Sequence, residues 1–175
     1  VSGITSSADG TAMTIDSSER IVTPSQPMFQ ATSINAVSGG SLHSESSPIY
    51  QSGQTTNTIQ AVSFANVWLN IGSHWNNSTG VFTVPVAGRY LCYWNNNSHN
   101  DDDWPNAHFL KNDEIRAMTW QNHAQSAEEY SSLVACTIIE AAVNDKLWPG
   151  WRTDYDSPKT EANYGYHSCF IWLIG

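Results

Sequence analysis

Between Thr79 and Trp94 the chain alternates apolar and polar positions in two successive registers. Phe82, Val84 and Val86 stand against Val81, Thr83 and Pro85, Ala87-Gly88 breaks the period, and Tyr90, Cys92 and Trp94 then alternate with Leu91 and Tyr93. Pro85 has no N–H to give a ladder, so the spacing predicts a strand start or bulge between Pro85 and Gly88 rather than one straight strand. Both faces of Tyr90 to Trp94 are apolar. Such a strand needs cover on both sides, one from the partner sheet of a sandwich and the other from a further layer or another subunit.

The same two-residue period extends along most of the chain. Met28 to Val37 reads as the first main strand, Ser47 to Gln51 as a short one inside a long polar excursion, and Gln60 to Asn70 as the next, with Val62, Phe64, Val67 and Leu69 facing inward. Asn76-Asn77-Ser78-Thr79-Gly80 is a turn, and turn chemistry accounts for its two glycosylation-type tripeptides. Asn95 to Asn106 is then expected to loop out. Strands follow at Ala107 to Lys111 and Ile115 to Gln121, joined tightly by Asn112-Asp113. After a loop at Asn122 to Glu129, Tyr130 to Ala141 reads as a long buried strand, Asn144-Asp145 as a turn, and Lys146 to Trp151 as a strand whose Pro149 suggests an edge or a bulge. Arg152 to Asn163 loops out and Tyr164 to Ile174 closes the sheet. No segment has helical periodicity, and the pattern is all-β with short strands and turn signals. Residues 1–27 read as an arm or linker and residues 28–175 as one domain. The arm is rich in Ser, Thr, Asp and Gly, with one apolar alternation at Met13 and Ile15, and cannot build a core alone.

Composition narrows the partners. Seven Lys and Arg stand against 16 Asp and Glu, a net charge of -9, so the basic footprint for nucleic acid or an anionic membrane is missing. Charged residues make up only 13% of the chain while Trp numbers 8, a mixture that suits an extracellular β protein working by polar and aromatic contact. No apolar run approaches the roughly 20 residues of a membrane helix. Val1-Ser-Gly-Ile-Thr has neither a basic region nor a hydrophobic segment, so no signal peptide is expected there. His74, His99, His108, His123 and His167 are scattered without paired zinc-ligand spacing. A Gly-x-Ser-x-Gly elbow, a phosphate loop and a Cys-His arrangement are all missing, so no enzyme is expected.

Three ordered blocks carry a family resemblance. Gly80-x-Phe82-Thr83-x-Pro85-x-x-Gly88-x-Tyr90, then Ala107-x-Phe109-Leu110-Lys111-Asn112-Asp113, then Ser168-Cys169-Phe170-Ile171-Trp172-Leu173 resemble the globular head of complement 1q and its relatives, and Asn66 to Trp75 fits the lead into the first block. The resemblance implies a jelly-roll β-sandwich of two antiparallel sheets, similar to tumour necrosis factor, that forms a homotrimer. Cys92 and Cys169 depart from the usual Phe and Gly of relatives. The fold would put Cys92, Cys136 and Cys169 in neighbouring strands; small buried hydrophobes are expected there rather than a bridge, since an odd count leaves one thiol unpaired. Separately, Ser7 to Ser18 resembles a stretch common in the shafts of bacteriophage tail fibres just before their terminal heads.

In a sandwich of this kind the loops 95–106, 122–129 and 152–163 fall at one end and form a tip. That tip collects His99, Asp101, Asp102, Asp103, Trp104, Glu128, Glu129, Trp151, Arg152, Asp154, Tyr155 and Asp156. Aromatic faces beside carboxylates suit sugars, because a ring covers the apolar C–H face while acids accept hydroxyl protons. Asp101 and Asp103 are also candidate calcium ligands, although the run is no EF-hand; calcium is the one cofactor the residues raise. Leu91, Tyr93, Phe170 and Trp172 are the candidate trimer interface. Together these imply a receptor-binding head of a viral tail fibre, extracellular and part of the virion, attaching to a host cell-surface polysaccharide or protein. A trimerisation cap or capsid decoration without a ligand, or a secreted cellular recognition module, are the alternatives.

Overall fold

The structure, a computed structural model, describes residues 17–18, 26–33, 59, 61–96, 106–119, 132–151 and 167–175, and describes by backbone alone 4–5, 11–15, 21–22, 34, 49–50, 58, 60, 97–99, 120, 130–131 and 152. Fifteen strands are described and no helix. β1 (Ile4–Thr5), β2 (Thr11–Ile15) and β3 (Ile21–Val22) form a small antiparallel sheet of their own. The rest is a sandwich. Its five-stranded sheet runs β13 (Tyr130–Ala141), β10 (Gly88–His99), β15 (Ser168–Leu173), β4 (Met28–Ile34) and β7 (Phe64–Ile71). The facing sheet runs β12 (Glu114–Trp120), β11 (Asn106–Lys111), β14 (Lys146–Arg152), β6 (Thr58–Ala61) and β5 (Ile49–Tyr50), with β9 (Val81–Thr83) on β14 and β8 (Trp75–Asn76) on β9.

The central stretch feeds both sheets, because the chain crosses from β9 to β10 where Pro85 interrupts the ladder. Gln60 to Asn70 is not one strand. It is β6 and β7 in opposite sheets, with Val62 and Ser63 buried at the crossing. Val67 and Leu69 are both exposed on the edge strand β7: an extra residue at Trp68 leaves Leu69 opposite Gln30 on the outer face, whereas Val67 stays opposite the buried Ala31 but at the open edge of the sheet. β10 continues five residues past Trp94, where a loop was expected, because its ladder with β13 holds to His99 opposite Tyr130. β14 is interior rather than an edge; Pro149 falls where its second neighbour changes from β9 to β6, so the missing N–H costs little pairing. Expected strand residues 35–37 and 164–166 lie outside the described residues.

Between the sheets lies a core of large rings. Phe29 stacks on Trp75 with centroids 4.1 Å apart, and Phe64 meets Trp94 edge-on at 5.6 Å. Trp94 Nε1 donates to the Gly150 carbonyl at 3.2 Å, tying one sheet to the other. A Cβ on Gly150 would meet Ile59 Cγ2 at 2.5 Å and Leu110 Cδ1 at 2.9 Å, so no larger residue fits beneath that contact. A second buried cluster of Ile59, Ala61, Val81, Leu110 and Trp148 lies on the other face of the second sheet. The turn at 76–80 uses its polar residues as a turn would. Asn76 Oδ1 accepts from Ser78 N and Oγ, while Asn77 acts as a substitute strand, accepting from Phe64 N and donating to Phe64 O, each at 2.8 Å. Gly80 closes it at φ 71, a conformation suited to glycine.

Candidate functional site: the outer face of the five-stranded sheet

Alternation sends Tyr90, Cys92 and Trp94 into the core, which leaves Arg89, Leu91, Tyr93 and Asn95 on the opposite face of β10. The ladder register then extends that face sideways in rows. Ile138, Leu91, Trp172, Met28 and Ile71 stand side by side across β13, β10, β15, β4 and β7. The next row is Cys136, Tyr93, Phe170, Gln30 and Leu69, and the third is Val134, Asn95, Ser168, Thr32 and Asn66. Two rows are therefore almost wholly apolar and the third mostly polar. No charged residue stands in any of them; the nearest pair, Arg89 opposite Glu140, lies one step towards the base.

Within the rows the aromatic rings order one another. Tyr93 and Phe170 stack with centroids 4.8 Å apart and planes 4° from parallel, and Trp172 stacks on Phe170 at 4.7 Å. Trp172 Nε1–H is shielded from solvent yet has no acceptor among the described residues. At the free edge of the sheet Trp68 is 66% exposed and lies over Thr32, to whose Oγ1 its indole nitrogen donates at 2.8 Å. On the other edge Ile138 is 57% exposed. β13 is thus not buried on both sides as expected, because it closes a sheet edge and turns Val134, Cys136 and Ile138 outward.

All four expected interface residues, Leu91, Tyr93, Phe170 and Trp172, stand together in this face. The sequence reading missed Met28, Ile71, Ile138, Val134 and Trp68. Its available signal was the alternation of Val134 and Ile138 with Leu133, Ala135 and Ile139, which puts apolar residues on both faces of β13.

The expected tip divides differently. The strand ends that flank residues 100–105, 121–129 and 153–166 gather at one end of the sandwich, as His99 opposite Tyr130, Asn106 opposite Trp120 and Arg152, and Ser168 opposite Asn95 show. Asp101, Asp102, Asp103, Trp104, Glu128, Glu129, Asp154, Tyr155 and Asp156 lie outside the described residues, and with them both expected calcium ligands. His99 and Arg152 are described as backbone in strands. Trp151 corrects the expectation outright. It is 2% exposed and belongs to the intersheet core, because β14 is an interior strand whose alternation turns this ring towards the opposite sheet.

The cysteines follow from face parity. All three are free; Cys92 and Cys169 point into the core, whereas Cys136 faces outward and is exposed, against the expectation that all three would be buried. Trp94, not Cys92, stands opposite Cys169, so the two buried cysteines are diagonal neighbours, whose Cα atoms in such a ladder lie about 7–8 Å apart, too far for a bridge. Burial pushes both core thiols well above the ordinary thiol range.

Among the described residues no cluster of His, Cys, Asp and Glu could hold a metal ion, and no helix is long and apolar enough to cross a membrane.

Comparison with known proteins fits this architecture. A comparison with curated protein sequences finds no match. Among solved structures, the globular domain of zebrafish complement 1qA superposes with a TM-score of 0.55 at 14% identity, covering 86% of this chain and 98% of that one. Murine APRIL at pH 8.0 gives 0.54 at 12% identity, covering 85% and 99%. The family model described as the C1q domain matches residues 48–171, well over half of the sequence. The chain belongs to the C1q domain family.

Proposed function

We propose that this chain is the receptor-binding head of a viral tail fibre, a bacteriophage fibre by its Ser7 to Ser18 stretch, and that it works as a homotrimer. Domains of this family are recognition modules, and the fold is theirs. Three copies meet through the two apolar rows, where Leu91, Tyr93, Phe170 and Trp172 would otherwise face water. Burying them stabilises by roughly 25 cal/mol per Å² of apolar surface. The loops 100–105, 121–129 and 153–166 then read a glycan or protein on the host surface, with Trp104 and Tyr155 as stacking platforms and Asp101, Asp102, Asp103, Asp154 and Asp156 as acceptors.

The observation that carries this reading is the polarity of the head. Leu173 N donates to the Pro27 carbonyl at 3.3 Å, so the arm joins at the base, whereas the strand ends that flank the three loops gather at the far end. A head held at one end and free at the other suits a fibre tip. Family membership alone suits a secreted cellular module as well, and the arm is what favours the fibre.

Competition tests it. Soluble chain added to host cells should block adsorption of the particle, and Trp104→Ala should raise the concentration needed about thirtyfold, the loss expected of a truncated aromatic hot spot. A trimer that binds no cell surface and leaves adsorption unchanged would favour the cap without a ligand.

A further inference from the structure

Trp68 stands where alternation would not put it. Leu69 faces outward opposite Gln30, so the preceding side chain on β7, Trp68, is due in the core. The extra residue there leaves Trp68 without a partner on β4 and turns its ring out, as a bulge re-aims a side chain. At 66% it is the most exposed large apolar side chain among the described residues. Its Nε1–H donates to Thr32 Oγ1 at 2.8 Å, which fixes the indole in one orientation and satisfies its only polar group. What the ring offers outward is a fixed apolar face.

The surroundings say what fits that face. Thr32 and Asn66 stand opposite each other in the polar third row, which Ser168 and Asn95 continue across the sheet, and Gln30 lies two residues before Thr32 on the same face of β4. Asn66 is exposed. None of these residues is charged, so a phosphate or a sulfate would meet no cation in the row. A flat ring beside neutral amides and hydroxyls matches a pyranose, whose C–H bonds cover the ring while its hydroxyls bond the amides. A second copy is drawn to the two apolar rows; Trp68 lies beside the polar one, on the last strand of the sheet.

We propose that Trp68 is the stacking platform of a site for a neutral sugar on the flank of the head, with Asn66 and Gln30 as partners for the sugar hydroxyls. Thr32 is a positioning residue, acting through the indole it holds. The site is separate from the tip loops and does not depend on them.

Saturation-transfer NMR on the full chain, with cellotriose, maltotriose, lactose and mannotriose as probes, tests it. At least one of them should receive saturation on its ring C–H protons, with a dissociation constant that rises about tenfold in Trp68→Ala and about threefold in Thr32→Val. Thr32→Ser, which keeps the hydroxyl, should bind as the wild type does. In the wild type, 2-hydroxy-5-nitrobenzyl bromide should alkylate Trp68, read by peptide mass spectrometry, and the bound sugar should protect it. That second readout decides the matter even where Trp68→Ala does not fold. Saturation of none of the four sugars, or alkylation that sugar does not slow, overturns the site. A Trp68 that resists alkylation without sugar is covered by a neighbouring copy, which also overturns it. Binding lost in Trp104→Ala but kept in Trp68→Ala overturns the flank site and leaves the tip reading standing, whereas the reverse supports the flank site alone.

Discussion

Tyr93 and Phe170, neighbours across β10 and β15, hold their rings face to face 4.8 Å apart on the outside of the sheet rather than in the core. A monomer would present this stack to water along a row continued by Cys136 on one side and by Gln30 and Leu69 on the other. Tyr93→Asp and Leu91→Asp should therefore abolish assembly while the strand content stays as in the wild type, because a carboxylate left without a partner in a close interface costs several kcal/mol. Circular dichroism beside sedimentation velocity checks both halves of that expectation.

Opposite faces of β10 and its neighbours give the cysteines opposite reactivities. In the Leu91→Asp variant, iodoacetamide at pH 8 should modify Cys136 within minutes and leave Cys92 and Cys169 untouched until the chain is unfolded, since burial raises their pKa values and denies access. In the assembled wild type Cys136 should be protected too. Peptide mass spectrometry resolves the three sites.

Trp151 in the core and Tyr155 beyond the end of β14 should respond differently to truncation. Trp151→Ala empties part of the intersheet core and should cost about 3–5 kcal/mol of stability. Tyr155→Ala should weaken host adsorption and leave the melting temperature within about 2 °C of the wild type, as surface substitutions do. EDTA separates a calcium-bridged ligand, which would be released, from direct stacking, which would persist.

How much of this was legible in the sequence depended on whether a local signal existed. Asn112-Asp113 marked its hairpin because both residues take the left-handed conformation that Asn and Asp tolerate, at φ 48 and 69. Leu91, Tyr93, Phe170 and Trp172 could be read as an interface because apolar residues on both faces of one strand demand two covers. The split of Gln60 to Asn70 could not be read, since Val62 and Ser63 bring no Gly, Pro, Asn or Asp to the crossing and both stay buried as the chain changes sheets. Trp151 was misplaced because it ends the expected strand directly before the polar run from Arg152, which drew it into the tip. The unbroken burial of Leu147 to Trp151 comes instead from clusters on both faces of the second sheet. Met28 and Ile71 enter the apolar row only through register across four ladders, which no local pattern encodes.

At the base, Asp145 joins two hairpins. Its carboxylate accepts from Asn112 Nδ2 at 2.7 Å and from Ala142 N at 2.9 Å and pairs with Lys111 Nζ at 2.9 Å, which lowers its pKa to about 2. A depressed carboxylate contributes stability that is present above the unfolded value near 4 and lost as pH falls towards 2. Asp145→Asn should therefore lose less stability than the wild type between pH 5 and pH 2, because the wild type gives up the Asp145 contribution across that window. Urea titrations at pH 5 and pH 2 measure the difference.

The account stands on the outer face of the five-stranded sheet being covered by two further copies of the chain. Sedimentation equilibrium of the wild type at micromolar concentration tests that directly. A single species at three times the 19.3 kDa chain mass is predicted, dissociating only together with unfolding. A stable, folded species at 19.3 kDa, with Tyr93 and Phe170 in water, would contradict it.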